Sequence, residues 1–222
     1  AVTVYEPHIA QVLSKKARRL HKIAKVHIKV DTGMSRLGIP VGEAVDLIHQ
    51  VTQLPHIEVQ GVFTHFSDAD NPDQGYLQWQ WQRFEKLIDN LKEKQIEIPY
   101  YHAANTAATL FYPTCHLDMV RVGLGLYGMY PDERRPISLK PALSLKTRIA
   151  ALKRVPAGTA VSYGRSYVTW RKTTLAVLPI GYADGLSRKL SNQGHVLIGD
   201  TPCPIVGKVT MDHTIVDVSD LP

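Results

Sequence analysis

The run Val26-His27-Ile28-Lys29-Val30 reads as a buried strand. It feeds directly into Asp31-Thr32-Gly33-Met34-Ser35-Arg36-Leu37-Gly38, a turn with two glycines and an Arg, and helix-like sequence resumes after Pro40. Strand, glycine-rich turn and helix in that order make a parallel βα unit. The loop after the strand is the face on which (β/α)₈ barrels carry their chemistry. Arg36 is therefore a candidate functional residue; the alternative is an exposed loop residue at a helix start.

The alternation continues to about Pro131. Strands are expected at 1–4, 26–30, 59–64, 100–103 and 119–122, with helices at about 6–24, 41–53, 73–95 and 105–111. The third helix carries Leu77, Trp81, Phe84, Leu87, Ile88 and Leu91 at helical spacing. A full barrel needs eight strands and roughly 250 residues, so about five of the eight βα units are expected. After Pro136 the pattern changes to short strand-like runs at 141–155, 174–184, 194–207 and 214–219, separated by Gly, Pro and Asp. The expected fold class is thus α/β plus all-β: a partial (β/α)₈ barrel over 1–136, then a C-terminal β domain over 137–222. The polar, proline-flanked stretch 131–136 suits the linker.

A net charge of +6 raises the question of nucleic acid. Much of the surplus lies in Lys15, Lys16, Arg18, Arg19, Lys22 and Lys25, among Val12, Leu13, Ala17, Leu20 and Ile23. That is the composition of a solvated amphipathic helix, and no nucleic-acid partner is expected. The chain has no apolar run of about 18 residues and no basic, then apolar, N-terminal segment, so a cytoplasmic protein without a membrane partner is expected. Cys115 and Cys203 form no C-x-x-C pair, which suits a reducing compartment. The ten histidines show no close ligand spacing, and no metal site is expected.

Six further segments accompany residues 29–38 in order: GVFTHFSDAD at 61–70, YHAANTAA at 101–108, MVRVGLGLYG at 119–128, VSYGRSY at 161–167, LPIGYADG at 178–185 and IVGKVTMD at 205–212. Together they resemble the alanine racemase family, fold-type III enzymes that use pyridoxal 5′-phosphate (PLP). The resemblance covers nearly all of the chain. It implies a homodimer with shared active sites, alanine as the small-molecule substrate and D-alanine, a peptidoglycan precursor, as product. The family holds PLP as a Schiff base on a Lys of an early barrel strand, in a context such as V-K-A-N-A-Y-G, which these residues do not contain; a C-terminal Tyr contacting the cofactor phosphate is likewise not matched. The chain accordingly reads as the central part of a longer enzyme, inactive on its own.

Racemisation needs an electron sink and two bases on opposite faces of the substrate Cα. The resemblance implies that Tyr163, delivered by the partner subunit, is one base and the unmatched Lys the other. A free phenol titrates near pH 10, so such a base needs positive charge or hydrogen bonds about it. Arg121 would face the pyridine nitrogen and, as a cation that keeps its proton, leave that nitrogen unprotonated. His102 would link Arg121 to Tyr163. Arg36 would meet the cofactor phenolic oxygen and the substrate carboxylate, aided by the backbone of the partner's Met211. His65 would pack on the pyridine ring. Asn105, the Thr106 hydroxyl and the N–H groups of Gly123 and Leu124 would surround the phosphate. Tyr182 and Asp212 match entrance and substrate positions, and Lys29 matches a Lys that is carbamylated in many members. Without the resemblance, Tyr163 could be a packed interface residue, His102 a core histidine, Lys29 a solvated or ion-paired Lys, and Tyr182 and Asp212 structural residues of the β domain.

Gly123-Leu124-Gly125-Leu126-Tyr127-Gly128 also satisfies G-x-G-x-x-G. Prolines follow where a dinucleotide fold needs a helix, so a phosphate cup is the better reading. Other functions remain open at this point: a catalytically inactive PLP-binding or interaction module, a racemase for serine or lysine, or a fold-type III decarboxylase.

Overall fold

A computed structural model describes residues 1–221. The chain divides into two compact units, Ala1–Leu143 and the residues from Ser144 onward. The first unit runs β1 (Val2–Val4), α1 (Pro7–Arg19), β2 (Ala24–Asp31), β3 (Ile39–Pro40), α2 (Val41–Thr52), β4 (Ile57–Phe63), α3 (Gly75–Glu93), β5 (Tyr100–His102) and α4 (Thr106–Phe111). Its sheet has the order β1-β2-β4-β5, every pair parallel, with the two-residue β3 added beside the end of β2. The buried Val26, Ile28 and Val30, with Val59 and Val62 in register beside them, make one face of this sheet apolar, while His27, Lys29, Phe63 and His102 lie on the other. α2 packs Ala44, Leu47, Ile48 and Val51 against them, and α3 packs Leu77, Phe84, Leu87, Ile88 and Leu91.

Two expectations for this unit are corrected. Met119–Val122, expected as the fifth strand, forms no ladder. The Asp118 carboxylate accepts the Tyr101 N–H at 2.7 Å, which a neighbouring strand's carbonyl would otherwise take, and Gly123 then turns the chain into a 3-10 turn at Leu124–Tyr127. Four βα units are therefore seen, followed by an extended segment tethered through Arg121 N–H to Ala104 O at 2.9 Å. The basic helix is also shorter than expected: α1 ends at Arg19, and His21 adopts a left-handed φ of 52°. Leu20 and Ile23 are consequently more than 60% exposed, and the helix packs instead through Ala10, Ser14 and Ala17.

Residues 137–142 are tied back to the first unit, so the division falls later than the expected 136/137. Tyr130 Oη donates to Ile137 O and accepts from Leu139 N–H, both at 2.8 Å, and Ala142 N–H reaches Tyr127 O at 3.1 Å.

The second unit is antiparallel throughout. β12 (Thr214–Asp217), β9 (Thr173–Leu178) and β6 (Ala151–Val155) form one sheet in that order. β10 (His195–Ile198) and β11 (Thr201–Pro204) form a hairpin closed by Gly199-Asp200, with Gly199 at φ +61°, the conformation such two-residue loops demand. A short pair joins β7 (Ala160–Val161) to β8 (Tyr167–Val168). Ala176, Leu178, Cys203, Ile205, Val209 and Val216 fill the core. Of the strand-like run 141–155, only Ala151–Val155 joins a ladder; Leu143, Leu145 and Ile149 alternate with polar residues as a strand would, yet they lie exposed. Among the described residues no helix is long and apolar enough to cross a membrane, and no group of three His, Cys, Asp or Glu could hold a metal ion.

Candidate functional site

The C-terminal ends of β2, β4 and β5 converge in the first unit, and the loops there are rigidly built. After β2, one Asp31 carboxylate accepts the N–H groups of Gly33, Met34 and Ser35 at 2.9–3.1 Å. Gly33, at φ +143°, lies so close to Trp79 that an added Cβ would sit 2.6 Å from its ring, and Tyr76 Oη donates to the Gly33 carbonyl at 2.7 Å. Gly38, at φ +123°, backs onto the Asp31 backbone, where a Cβ would sit 2.7 Å from the amide nitrogen. The two glycines of the motif are thus there for close approach and for left-handed backbone. Between them the loop presents Arg36, exposed.

Arg121 occupies the centre of the cluster. Its Nη1 donates to His102 Nδ1 at 2.6 Å. Its Nη2 is shared among Thr64 O at 2.7 Å, Ala103 O at 3.0 Å and His65 Nδ1 at 3.1 Å. Burial lowers its pKa to about 10, which leaves it cationic at neutral pH. A fixed guanidinium beside two imidazoles holds them neutral: burial first, then Arg121, brings His65 down to about 4 and His102 to about 3. Lys29 is only 6% exposed, and burial together with Arg121 lowers it to about 8, with Arg36 contributing and Asp31 opposing. Its ammonium lies 5.1 Å from the centre of the Phe63 ring, which also lies 5.2 Å from the Arg121 guanidinium carbon and stacks on His102 at 4.7 Å. A solvated Lys29 is therefore corrected to a buried one. Among the described residues no carboxylate forms a salt bridge with Lys29, Arg36 or Arg121. The nearby Asp31 turns its oxygens to the backbone.

On the other side of Arg121 the Thr106 hydroxyl accepts Gly123 N–H at 3.0 Å and Gly125 N–H at 3.4 Å, and Leu124 opens the 3-10 turn beside it. These two backbone donors are taken up by the Thr106 oxygen; a phosphate would receive them only in its place, with the Thr106 O–H donating beside them. Asn105 is committed elsewhere: its Oδ1 caps α4 by accepting Ala108 N–H, and its Nδ2 donates to Phe66 O. It positions Thr106 rather than offering its own amide.

Two expected roles change in this arrangement. His65 directs Nδ1 to Arg121, so its ring is held by that bond and not only by packing against a ligand. The expected link from His102 to Tyr163 finds no free ring nitrogen, because His102 Nε2 is within 2.8 Å of His27 Nδ1.

Tyr163, Tyr182, Met211 and Asp212 belong to the second unit. Tyr163 stands 72% exposed on a 3-10 turn that follows Ser162. Tyr182, Met211 and Asp212 come together: Tyr182 N–H donates to Thr210 O at 3.0 Å, Ala183 N–H donates to Met211 O at 2.9 Å, and Gly181 is packed so tightly on the loop before β12 that a Cβ would sit 2.3 Å from Thr210 O. Asp212 turns a carboxylate oxygen to His213 Nδ1 at 2.9 Å.

Three residues escaped the sequence reading: His27, Phe63 and Gln80. Gln80 is fully buried on α3. It accepts from Ser67 N–H and Oγ, and its Nε2 donates to His65 O and Thr32 Oγ1 at 3.3 Å. Its signal was a polar residue on the apolar stripe of α3. Gln80→Leu removes all four bonds, including the one to the half-buried His65 carbonyl, and is expected to destabilise the protein by about 1–3 kcal/mol, read from urea unfolding. An unchanged midpoint would contradict the clamp.

The neutral imidazoles set an acid limit. Below the unfolded histidine pKa of about 6.5 the unfolded chain takes up protons that folded His65 and His102 refuse until about pH 4 and 3. Their contribution is complete above about pH 6.5 and is lost as pH falls through that window. Urea midpoints measured from pH 7 to 4 are expected to fall, and less steeply in His65→Asn.

Comparison with known proteins agrees with this geometry. The family model described as alanine racemase, N-terminal domain, matches residues 1–131, and that described as alanine racemase, C-terminal domain, matches 142–222. An alanine racemase of Halothermothrix orenii is 46% identical over 99% of this chain and 59% of its own length. The alanine racemase structure of Clostridium difficile 630 superposes with a TM-score of 0.89 at 37% identity, over 97% of this chain and 57% of that one. A structure of alanine racemase from Bartonella henselae with covalently bound pyridoxal phosphate gives 0.82 at 29% identity, over 99% of this chain and 60% of that one. The chain thus spans less than two thirds of the length of these relatives, and its two units are an α/β barrel portion and a β domain of their kind. With both family models matched over most of its residues, the chain belongs to the alanine racemase family.

Proposed function

We propose that the complete protein is a PLP-dependent, cytoplasmic alanine racemase that interconverts L- and D-alanine by a two-base mechanism in a homodimer with shared active sites. The observation that carries this is the cation cluster of Lys29, Arg36 and Arg121 without a paired carboxylate, beside the Gly123 and Gly125 N–H groups that converge on the Thr106 hydroxyl. A ligand bearing a phosphate, an anionic ring oxygen and a carboxylate supplies the charge this site lacks. PLP, when bound, supplies the electron sink for negative charge at the substrate Cα.

The chain's own residues then divide the work. Arg121, unable to give up its proton, faces the pyridine nitrogen as a donor only. Thr106 and the N–H groups of Gly123 and Leu124 take the phosphate, with Asn105 fixing the start of α4. His65 lines the ring. Arg36 binds the substrate carboxylate with help from the partner's Met211, while Tyr182 and Asp212 shape the entrance. Tyr163 of the partner subunit moves a proton at one face of Cα, and a Lys outside these residues moves it at the other. Lys29, buried among cations and lowered to about 8, has the partly neutral amine that adds CO₂. The resulting carbamate turns a third cation into an anion that orients Arg36. Intact mass of the native protein read at pH 8 and again after acidification tests this, since a carbamate is lost with acid.

The deciding experiment is to express the complete reading frame and follow optical rotation of L-alanine, L-serine and L-lysine with and without PLP. PLP-dependent racemisation of alanine in preference to the others is expected. Turnover of serine or lysine instead, or of none, would overturn the assignment.

A further inference from the structure

We infer that His27 is a positioning residue for this reaction, accepting the His102 Nε2 proton and thereby fixing the one His102 tautomer that can receive Arg121. The inference rests on the racemase reading for its link to catalysis, but not for its structural content. Arg121 has only donors to offer. The His102 Nδ1 that it approaches at 2.6 Å must therefore present a lone pair, and a neutral His102 then carries its proton on Nε2. That N–H meets His27 Nδ1 at 2.8 Å, so His27 in turn has its proton on its own Nε2. The chain of polarity runs one way, from Arg121 to His102 to His27.

The surroundings are built to keep it so. Phe63 stacks on the His102 ring, its plane within 9° of parallel, which opposes rotation out of the Arg121 plane. His27 stands opposite Gly61 in the β2–β4 register, just after an irregularity between Val26 and His27. A Cβ on Gly61 would come within 2.6 Å of His27 Nδ1, so glycine in mid-strand makes the room for the acceptor. Burial holds His27 below the usual imidazole value, and burial and Arg121 do so more strongly for His102, consistent with two neutral rings.

Without the His27 acceptor, the His102 Nε2–H is left in a buried position without a partner. Moving the proton to Nδ1 relieves this but sets an N–H against the Arg121 donor. The guanidinium must then turn from its place, and with it the group that faces the cofactor.

The test uses the complete protein labelled with ¹⁵N, with and without PLP. Ring ¹H–¹⁵N correlations are expected to show His102 as the Nε2–H tautomer, with a coupling across the hydrogen bond to His27 Nδ1. His27→Leu should move His102 toward the Nδ1–H form and lower kcat by ~10–100-fold with little change in KM, the scale of losing an orienting partner. His27→Asn, whose Oδ1 replaces Nδ1 as acceptor, should restore both. If the native protein shows His102 protonated on Nδ1, or lacks the coupling with both rings resolved, the inference fails, even if His27→Leu does not fold. It also fails if Asn is no better than Leu. A tautomer that shifts as expected in a protein that never racemises alanine would instead sink the racemase reading and leave the His27–His102 assignment standing.

Discussion

Tyr163→Phe in the complete enzyme lowers kcat for alanine racemisation by roughly 10²–10⁴-fold, the worth of one general base, while PLP still binds. The prediction rests on how this side chain is displayed. Ser162, just before it, has φ 63° and ψ −176°, a region that is essentially glycine's and costs on the order of 1–3 kcal/mol for another residue. The strain is held in place by Ser162 Oγ donating to Lys208 O at 2.7 Å and by Gly207, where a Cβ would lie 2.6 Å from that of Ser162. Gly164 and Arg165 continue the turn with positive φ. Such a backbone lifts the Tyr163 ring out of the core, so deleting its hydroxyl should change folding stability by no more than about 0.5 kcal/mol. Loss of activity without loss of stability separates a base from a packing residue. Deuterium exchange at Cα in D₂O should vanish for one enantiomer and persist for the other. Mixing this mutant with one lacking the cofactor-bearing Lys should return part of the activity after dissociation and reassociation, because some heterodimers carry one intact site. Mixed dimers with no activity would end the shared-site proposal, and full turnover by Tyr163→Phe would end the assignment of the base.

What the sequence made legible follows from where the information sits. The loop at 31–38 could be read because its glycines answer constraints only a few residues away, as Asp31 binding the N–H groups of Gly33 to Ser35 shows. The helices could be read because their apolar stripes are periodic, and α3 from Gly75 to Glu93 lies within the expected 73–95. Met119–Val122 was misread because its β-branched composition says strand, while one side chain, Asp118, occupies the donor that pairing would use. Leu20 and Ile23 were misread because periodicity does not reveal where a helix stops. The residues missed outright meet their partners across long stretches of chain: His27 and His102 are 75 positions apart and Gln80 and Thr32 are 48. Their traces were Gly61 in the middle of a strand and a lone Gln on an apolar helix face. Each is intelligible only once the facing residue is known. Arg121 and Thr106, by contrast, were found through resemblance to a family, and Arg36, a candidate from its place on the loop after a strand, took its role from the same resemblance, since a loop Arg or a buried Thr announces no role by spacing alone.

Arg121→Lys is expected to lower kcat by about 10²-fold or more, on the scale of removing one preorganised donor, and also to destabilise the first unit. The two losses have different origins. The guanidinium fork reaches His102 through one nitrogen and Thr64 O, Ala103 O and His65 through the other. A Lys ammonium is a point donor on a flexible stem and cannot span both sides. At least two of these buried acceptors then lose their partner, at about 1–3 kcal/mol each, which urea unfolding would register as a lower midpoint. Catalysis suffers because Lys can release a proton where Arg keeps it, and because an ammonium on Nδ1 of His102 no longer fixes the position of the group facing the pyridine nitrogen. The spectrum of bound PLP should shift with the change in ring-nitrogen environment, a readout that a purely structural Arg would not move. Phe63 adds a control: it touches Lys29, His102 and Arg121 through its ring face alone, so Phe63→Leu should loosen the cluster without removing a donor and lower kcat by much less than Arg121→Lys. If Arg121→Lys kept full activity and an unchanged PLP spectrum, the cation at the centre of the cluster would be a folding element only. The site would then have to be rebuilt around Arg36 and Lys29.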